Sequence, residues 1–380
     1  MHRPFIKNMI SMKKLNNVKD SKPVLHIGKM LFALAMALQL LFITGCKHDD
    51  LSVALPNENI RPAADFVKNN YEMRLFYAAL KKTGYTEQLN GAGPFTVFAP
   101  TDEAFNRLGI YSTADFDKMN VDSLKKIIGY HILPRKLMVN DMPSNGVDIR
   151  YATLSGSELY LSRAAFNPSG GEVNELYIDG VEVIRKDVVV ANGVLHLIDN
   201  VMKPNFNKTV QQWLAEHADY SVFVKGLKKF NLWDQLATGE TFTIFAPNNQ
   251  ALENVGITEA SLNTLETGKY IGDRLFGAYI LYGRHFFISD SQVFSLINSN
   301  GVYNYFLKKD SYYMNFGGGK LYPEFKLGYS LTLRSGNTVS DVILNSVTSN
   351  LTAKNDNLCS NGIVHHLISG LVRPEQAIKK

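Results

Sequence analysis

Two cysteines in 380 residues, Cys46 and Cys359, are too few for a disulfide framework or a cysteine-based metal site. The fold has to be held by buried apolar surface. The apolar stretch Met30–Ile43 (MLFALAMALQLLFI) has fourteen residues, whereas a helix needs about 20 to cross a bilayer. Catalytic signatures are missing too: there is no G-x-S-x-G elbow, no H-E-x-x-H, no G-x-x-x-x-G-K-[ST] and no EF-hand loop. A non-enzymatic protein without cofactor or metal is therefore expected. An excess of basic charge is also absent once the chain is divided. The whole carries 40 Lys/Arg against 35 Asp/Glu, net +5. Seven of those bases and one acid fall in residues 1–45, so the remainder holds 33 against 34, net −1. Nucleic-acid binding needs a basic footprint and loses its support.

Residues 1–45 read as a leader. Lys13, Lys14, Lys19, Lys22 and Lys29 precede the apolar stretch, and Met9 and Met12 are alternative starts. Ile43-Thr44-Gly45-Cys46 then resembles the bacterial lipobox. The resemblance implies cleavage before Cys46, acylation of that residue and a lipid anchor in the membrane; the alternative is an ordinary signal peptide. Lys47-His48-Asp49-Asp50 is similar to the export signal of Bacteroidetes lipoproteins, which implies the outer face of an outer membrane. A short polar stretch also serves simply as a solvated tether, here residues 46–62.

What the rest contains is duplication. GPFTVFAPTDEAF from Gly93 returns as GETFTIFAPNNQAL from Gly239, and Phe98 and Phe245 lie 147 residues apart. NGVLHLIDNVMKP from Asn192 returns as NGIVHHLISGLVRP from Asn361. So long a period means a duplicated domain, over 63–205 and 206–376, rather than a solenoid. The first motif reads as structural punctuation. Phe95–Ala99 alternates as a strand, and Pro100 ends its ladder. Thr101 is an N-cap, and Asp102 and Glu103 suit the positive end of a helix. Asn248 is the matching cap. Before it, Phe66, Met73, Phe76, Leu80 and Leu89 recur at helical spacing, as do Trp213, Tyr220, Phe223, Leu227 and Leu232. Leu124, Ile127, Ile128 and His131 form a second helical stripe ended by Pro134, with Leu275–Leu281 as its counterpart. Asn192-Gly193 between apolar runs signals a hairpin, and Asn361-Gly362 repeats it.

TVFAPTDEAF, Tyr130-His131 and NGVLHLID together resemble a fasciclin domain, and the looser second copy keeps the order. The resemblance implies an α/β (α+β) fold, a β-wedge of mostly antiparallel strands with a helical layer. It also implies roles in cell adhesion and extracellular interaction without general catalysis. The family's Tyr-His pair, implicated in receptor binding in some animal members, stands here as Tyr130-His131. In domain two the aligned residues are Ala278 and Tyr279. Opposite His196 stand two candidates, His365 and His366.

Domain two is longer by about 22 residues, between Phe287 and Cys359. Tyr303–Tyr329 holds nine Tyr/Phe, around Gly317-Gly318-Gly319, which reads as a turn. Either these aromatics fill the core side of a hairpin, or Tyr312, Tyr313 and Tyr322 form an exposed platform for protein or sugar. His131 and His196 read first as core histidines, and His131 second as a contact residue. His365-His366 point to opposite faces of a strand and suit no shared metal. Cys359 reads as buried. Two functions follow as expectations: a surface lipoprotein for adhesion or contact with an envelope or extracellular protein, or a glycan-binding accessory lipoprotein of a polysaccharide-uptake system.

Overall fold

The computed structural model describes residues 60–204, 207–307, 312–321, 326–336 and 341–380. The leader, Cys46 and Tyr322 lie outside the described residues.

The first domain opens with short helices over Ala63–Lys68, Arg74–Thr83 and Tyr85–Asn90. The sequence spacing suggests one continuous face. The helices are instead separate, and Gly84, at φ +79°, supplies the left-handed break between the second and third. The face survives the break: Met73, Phe76, Leu80 and Leu89 are fully buried, and Phe66 is half-buried. Strand β1 (Phe95–Pro100) follows and is buried on both sides. Alternation fails there because Thr96 turns inward: its Oγ1 donates to Arg135 O (2.6 Å) and accepts from Leu137 N (2.8 Å). Thr101 caps the next helix as expected, accepting from Ala104 N at 3.3 Å.

The helix Val121–Tyr130 leads into β2 (Ile132–Leu133). The domain is completed by β3 (Asn145–Ala152), β4 (Glu158–Phe166), β5 (Glu172–Ile178), β6 (Val181–Val190) and β7 (Gly193–Ile198). These form one seven-stranded sheet in the order β2-β1-β7-β6-β5-β4-β3. Its one parallel pair, β1 with β7, joins the two motifs of the sequence, Phe98 opposite His196.

Domain two repeats this scheme. Helices Val210–Ala215 and Ser221–Lys229 bury the predicted face from Trp213 to Leu232. They are followed by β8 (Phe242–Pro247), which pairs antiparallel with β9 (Ile280–Tyr282). The later strands are β10 (Val302–Phe306), β11 (Tyr313–Leu321), β12 (Lys326–Arg334), β13 (Ile343–Asn350), β14 (Asn357–Cys359) and β15 (Gly362–Leu367). Here the sheet is split into β10-β11-β12-β13 and β14-β15-β8-β9. In domain one β6 runs through a bulge next to Asp187 (φ 57°); in domain two the equivalent run breaks ahead of Asp356 (φ 56°).

Both Asn-Gly hairpins form, but the turn sits one residue earlier than the sequence suggests. Val190 pairs with Gly193, leaving Ala191-Asn192 as the turn, and Cys359 pairs with Gly362. Glycine is required there by close approach: a Cβ on Gly193 would lie 2.0 Å from Phe95 O. The Gly317–Gly319 run is likewise not a turn. It lies inside β11, where Gly318 is opposite Tyr329. A helix over Asp290–Ile297 lies on it, and a Cβ on Gly318 would come 2.7 Å from Ser291 Oγ. This eight-residue helix accounts for about a third of the extra length of domain two.

The same helix wedges between the domains. It touches β3 and β4 on one side and β10, β11 and β12 on the other. Val293 is fully buried beside Ala164 and Tyr177. Phe287, Leu358 and Ile363 of domain two join Phe98, Tyr130, Leu161 and Met202 of domain one in a single apolar cluster. Lys320 adds polar contacts across the junction, to Glu182 (2.9 Å) and Glu175 (3.2 Å). The two domains therefore share a core.

Candidate functional site

The motif residues converge on backbone, twice over. Asn192 Oδ1 accepts from Ala63 N (2.9 Å), and its Nδ2 donates to Leu89 O and Gly91 O (2.8 and 2.7 Å). Asn361 repeats this with Val210 N, Leu236 O and Thr238 O at 2.8, 3.0 and 2.8 Å. One amide thus ties the helical layer to the hairpin in each domain. The sequence signals only a turn here; the signal that could have revealed the tie is that both turns use asparagine, whose side chain carries both a donor and an acceptor.

The histidine next in the motif does similar work. His196 Nε2 donates to Leu137 O (3.0 Å), and its Nδ1 accepts from Asp187 N (3.2 Å). His365 makes the same pair with Phe286 O (2.7 Å) and Asp356 N (3.2 Å), so His365, not His366, is the counterpart. Each ring stacks on its motif phenylalanine, His196 on Phe98 and His365 on Phe245. His366 faces the other way and meets Tyr220 Oη at 2.9 Å. Burial lowers the basicity of both motif rings, His365 to about 4, which keeps them neutral.

Tyr130 and His131, the pair expected at a contact surface, are fully buried and present no side-chain surface to a partner. Tyr130 Oη donates to Glu158 O (2.9 Å). His131 Nδ1 donates to Ile127 O (2.8 Å), and its Nε2 accepts from Met202 N (3.1 Å). Burial pushes this imidazole down to about 4. Domain two keeps the function while changing the residue: Tyr279 Oη accepts from Leu371 N at 2.7 Å. In both domains the residue ahead of the short strand fastens the segment that closes the domain.

The aromatic insertion is mostly core. Phe316 and Tyr329 are fully buried, and Tyr312 is 5% exposed, its Oη donating to Gln376 O and its ring under Arg274. Tyr313 is half-buried against Phe306 across β10 and β11. Tyr312 is therefore unavailable to an exposed platform, and Tyr322 is outside the described residues. Cys359 is a buried free thiol whose pKa burial pushes up to about 12, so it is an inert hydrophobe.

What is exposed lies elsewhere. A groove of about 370 Å³ on domain one is flanked by Tyr71 (79% exposed) and Ile184 (53%). Ion pairs line it: Arg74 with Asp102 (3.0 Å), Arg107 with Asp199 (3.4 Å) and Arg185 with Glu72 (3.5 Å). Asp102 also accepts from Leu75 N (2.8 Å), which ties the first motif to the helical layer. In domain two Asn249 does this for Val222 N (3.0 Å). There Ala218, Ser221 and Asn254 stand where Tyr71, Arg74 and Arg107 stand in domain one. The charged, tyrosine-flanked groove thus belongs to one domain only. No cluster of three metal-ligating side chains occurs among the described residues.

The fasciclin domain profile matches residues 72–204 and again 218–371. The chain belongs to the fasciclin family. Human periostin is 28% identical over 193 residues, 50% of this chain and 21% of that protein. The transforming growth factor-beta-induced protein ig-h3 of Sus scrofa is 28% identical over 54% of this chain and 29% of its own length. Protein sll1483 of Synechocystis is 37% identical over 33% of this chain and 64% of its own. The chain thus spans under two thirds of each. A solved FAS1 domain pair from the insect cell adhesion molecule Fasciclin I covers 80% of this chain and 98% of its own, at 19% identity and a TM-score of 0.36.

Proposed function

We propose that this fasciclin protein is a non-catalytic surface lipoprotein that mediates adhesion or protein–protein contact at the cell envelope. In this reading acyl chains on Cys46 hold it to an outer membrane, residues 46–62 are the tether, and the docked domain pair faces the exterior. No helix among the described residues is long and apolar enough to cross a membrane. One observation carries the reading: the motif histidines, Tyr130 and His131 are all spent on internal hydrogen bonds, so what remains for function is surface. The groove of domain one is the contact face, because Tyr and Arg around a half-exposed apolar residue are the side chains that dominate protein interfaces.

The test displays the full chain on cells and measures cell aggregation and membrane retention. Cys46→Ser should release the protein, and Tyr71→Ala with Ile184→Ala should reduce aggregation while leaving the protein folded and displayed. Retention of the Cys46→Ser protein would overturn the anchor, and turnover of a glycan or peptide would overturn the non-catalytic reading. Retardation in polysaccharide gels would transfer the proposal to glycan binding.

A further inference from the structure

Three aspartates meet at the junction of the domains, where apolar packing should exclude charge. Asp290 opens the wedging helix and is fully buried. Its Oδ2 accepts from Phe287 N (2.9 Å), and the Ser162 hydroxyl of β4, on the opposite domain, stands against the carboxyl. Asp179, 9% exposed, sits in the turn between β5 and β6 and accepts from Tyr160 N (2.8 Å). Asp356 comes from domain two and accepts from Ile288 N (2.8 Å). It reaches the other domain directly: a Cβ on Gly180 would lie 3.0 Å from Asp356 Oδ2 and equally close to the Phe287 ring. Asp179 and Asp356 line one cleft of about 430 Å³ at the junction.

The groups facing these carboxyls do not neutralise them. Asp356 Oδ1 lies 3.4 Å from His365 Nδ1, but that nitrogen already accepts from Asp356 N and the ring is neutral. Asp179 faces Tyr130 and Asp356, and Asp290 faces Asp356 and Asp148. The cations nearest this region are engaged. Asp148 pairs with Arg150 (3.1 Å) and lies 3.7 Å from His285, while Arg107 holds Asp199. Lys203, on the cleft wall, is exposed to solvent, and partial desolvation lowers its basicity. Carboxylates without cations in an apolar junction are held as acids, because desolvation disfavours the charged form.

We propose that docking of the two domains is gated by protonation of Asp179, Asp290 and Asp356, so that the pair separates as the medium turns alkaline. Burial raises Asp179 and Asp356 to about 7 and Asp290 to about 8. Separated domains would solvate these groups and return them toward about 4. The docked state therefore holds more protons between about pH 4 and 8, and docking weakens as pH rises through that window. For one carboxyl at 7 the docking equilibrium falls about tenfold from pH 6 to 8.5. The motif histidines stay inside their own domains and do not report on this step.

Hydrogen exchange of the full chain in detergent, corrected for intrinsic pH dependence, reads it directly. Amides of the Asp290–Ile297 helix and β4 should lose at least about tenfold protection between pH 6 and 8.5, while the Arg74–Thr83 helix and β8, whose apolar residues pack inside their own domains, keep theirs. Asp179→Asn, Asp290→Asn and Asp356→Asn together should flatten the dependence. Unchanged protection at the junction would overturn the proposal, as would an equal loss in all strands. The wild-type profile decides this even if the variant fails to fold.

Discussion

The two domains solve the same structural problems with different residues and leave different things on their surfaces. An asparagine ties helices to hairpin in both, and a neutral histidine buttresses the parallel strand pair in both. Where domain one fastens its last segment with His131, domain two uses Tyr279. What matters there is a buried acceptor for a backbone N–H, and either side chain supplies it. The surfaces diverge instead. Domain one carries the Arg/Asp groove with Tyr71; domain two has Ala218 for that tyrosine and Ser221, Asn249 and Asn254 for Arg74, Asp102 and Arg107. Domain two in turn carries the helix that docks the pair. Duplication has preserved the internal ties while the surfaces have diverged, with a charged groove on one domain and the docking helix on the other.

The sharpest way to break the comparison is at the asparagine ties. Asn192→Ala and Asn361→Ala each remove three hydrogen bonds to backbone groups, and each should lower stability by about 3 kcal/mol in urea unfolding. A large loss at one and none at the other would show that the ties are not equivalent. Next, His131→Phe and Tyr279→Phe should each cost about 1–3 kcal/mol, through the orphaned Met202 N and Leu371 N. His131→Gln, which keeps an acceptor, should recover part of that loss.

Acid should then separate the domains in stability. Domain one holds two fully buried neutral histidines, His131 and His196; domain two holds one, His365, beside His366, which is only half-buried but is lowered by burial too. Folded values lie below the ordinary 6.5, so the unfolded chain takes the proton first, and stability is lost as pH falls from about 6.5 toward 4. Each such histidine contributes up to about 1.4 kcal/mol per pH unit within that window. Amides of β1 and β7 should lose more protection at pH 4.5 than those of β8 and β15; equal losses would remove this asymmetry. The smallest effect is expected at Tyr71→Ala, within about 0.5 kcal/mol of wild type in stability because the side chain is exposed.

Much of this architecture was legible in the sequence, because local physics writes it there. Thr101 and Asn248 cap helices as their chemistry requires, and the FAP and Asn-Gly motifs mark the strands that pair in each core. What stayed hidden depends on partners distant in sequence. Thr96 turns inward to reach residues about 40 positions on, so β1 does not alternate. Gly317–Gly319 looks like a turn until the Asp290–Ile297 helix is laid over it, when bare backbone becomes a packing requirement. Asp290 and Asp179 carry no local mark of a domain junction. Tyr312 looks like a platform residue in an aromatic run, and only the fold shows that its hydroxyl is held by Gln376.

The central claim is that the fasciclin pair acts as one docked unit through a shared core. Differential scanning calorimetry of the full chain in detergent at pH 6 tests it, with Val293→Asp placing a charge in the junction. A single wild-type transition, with calorimetric and van't Hoff enthalpies equal, that Val293→Asp splits in two is the predicted result. Two independent transitions in the wild type, unmoved by the substitution, would contradict it.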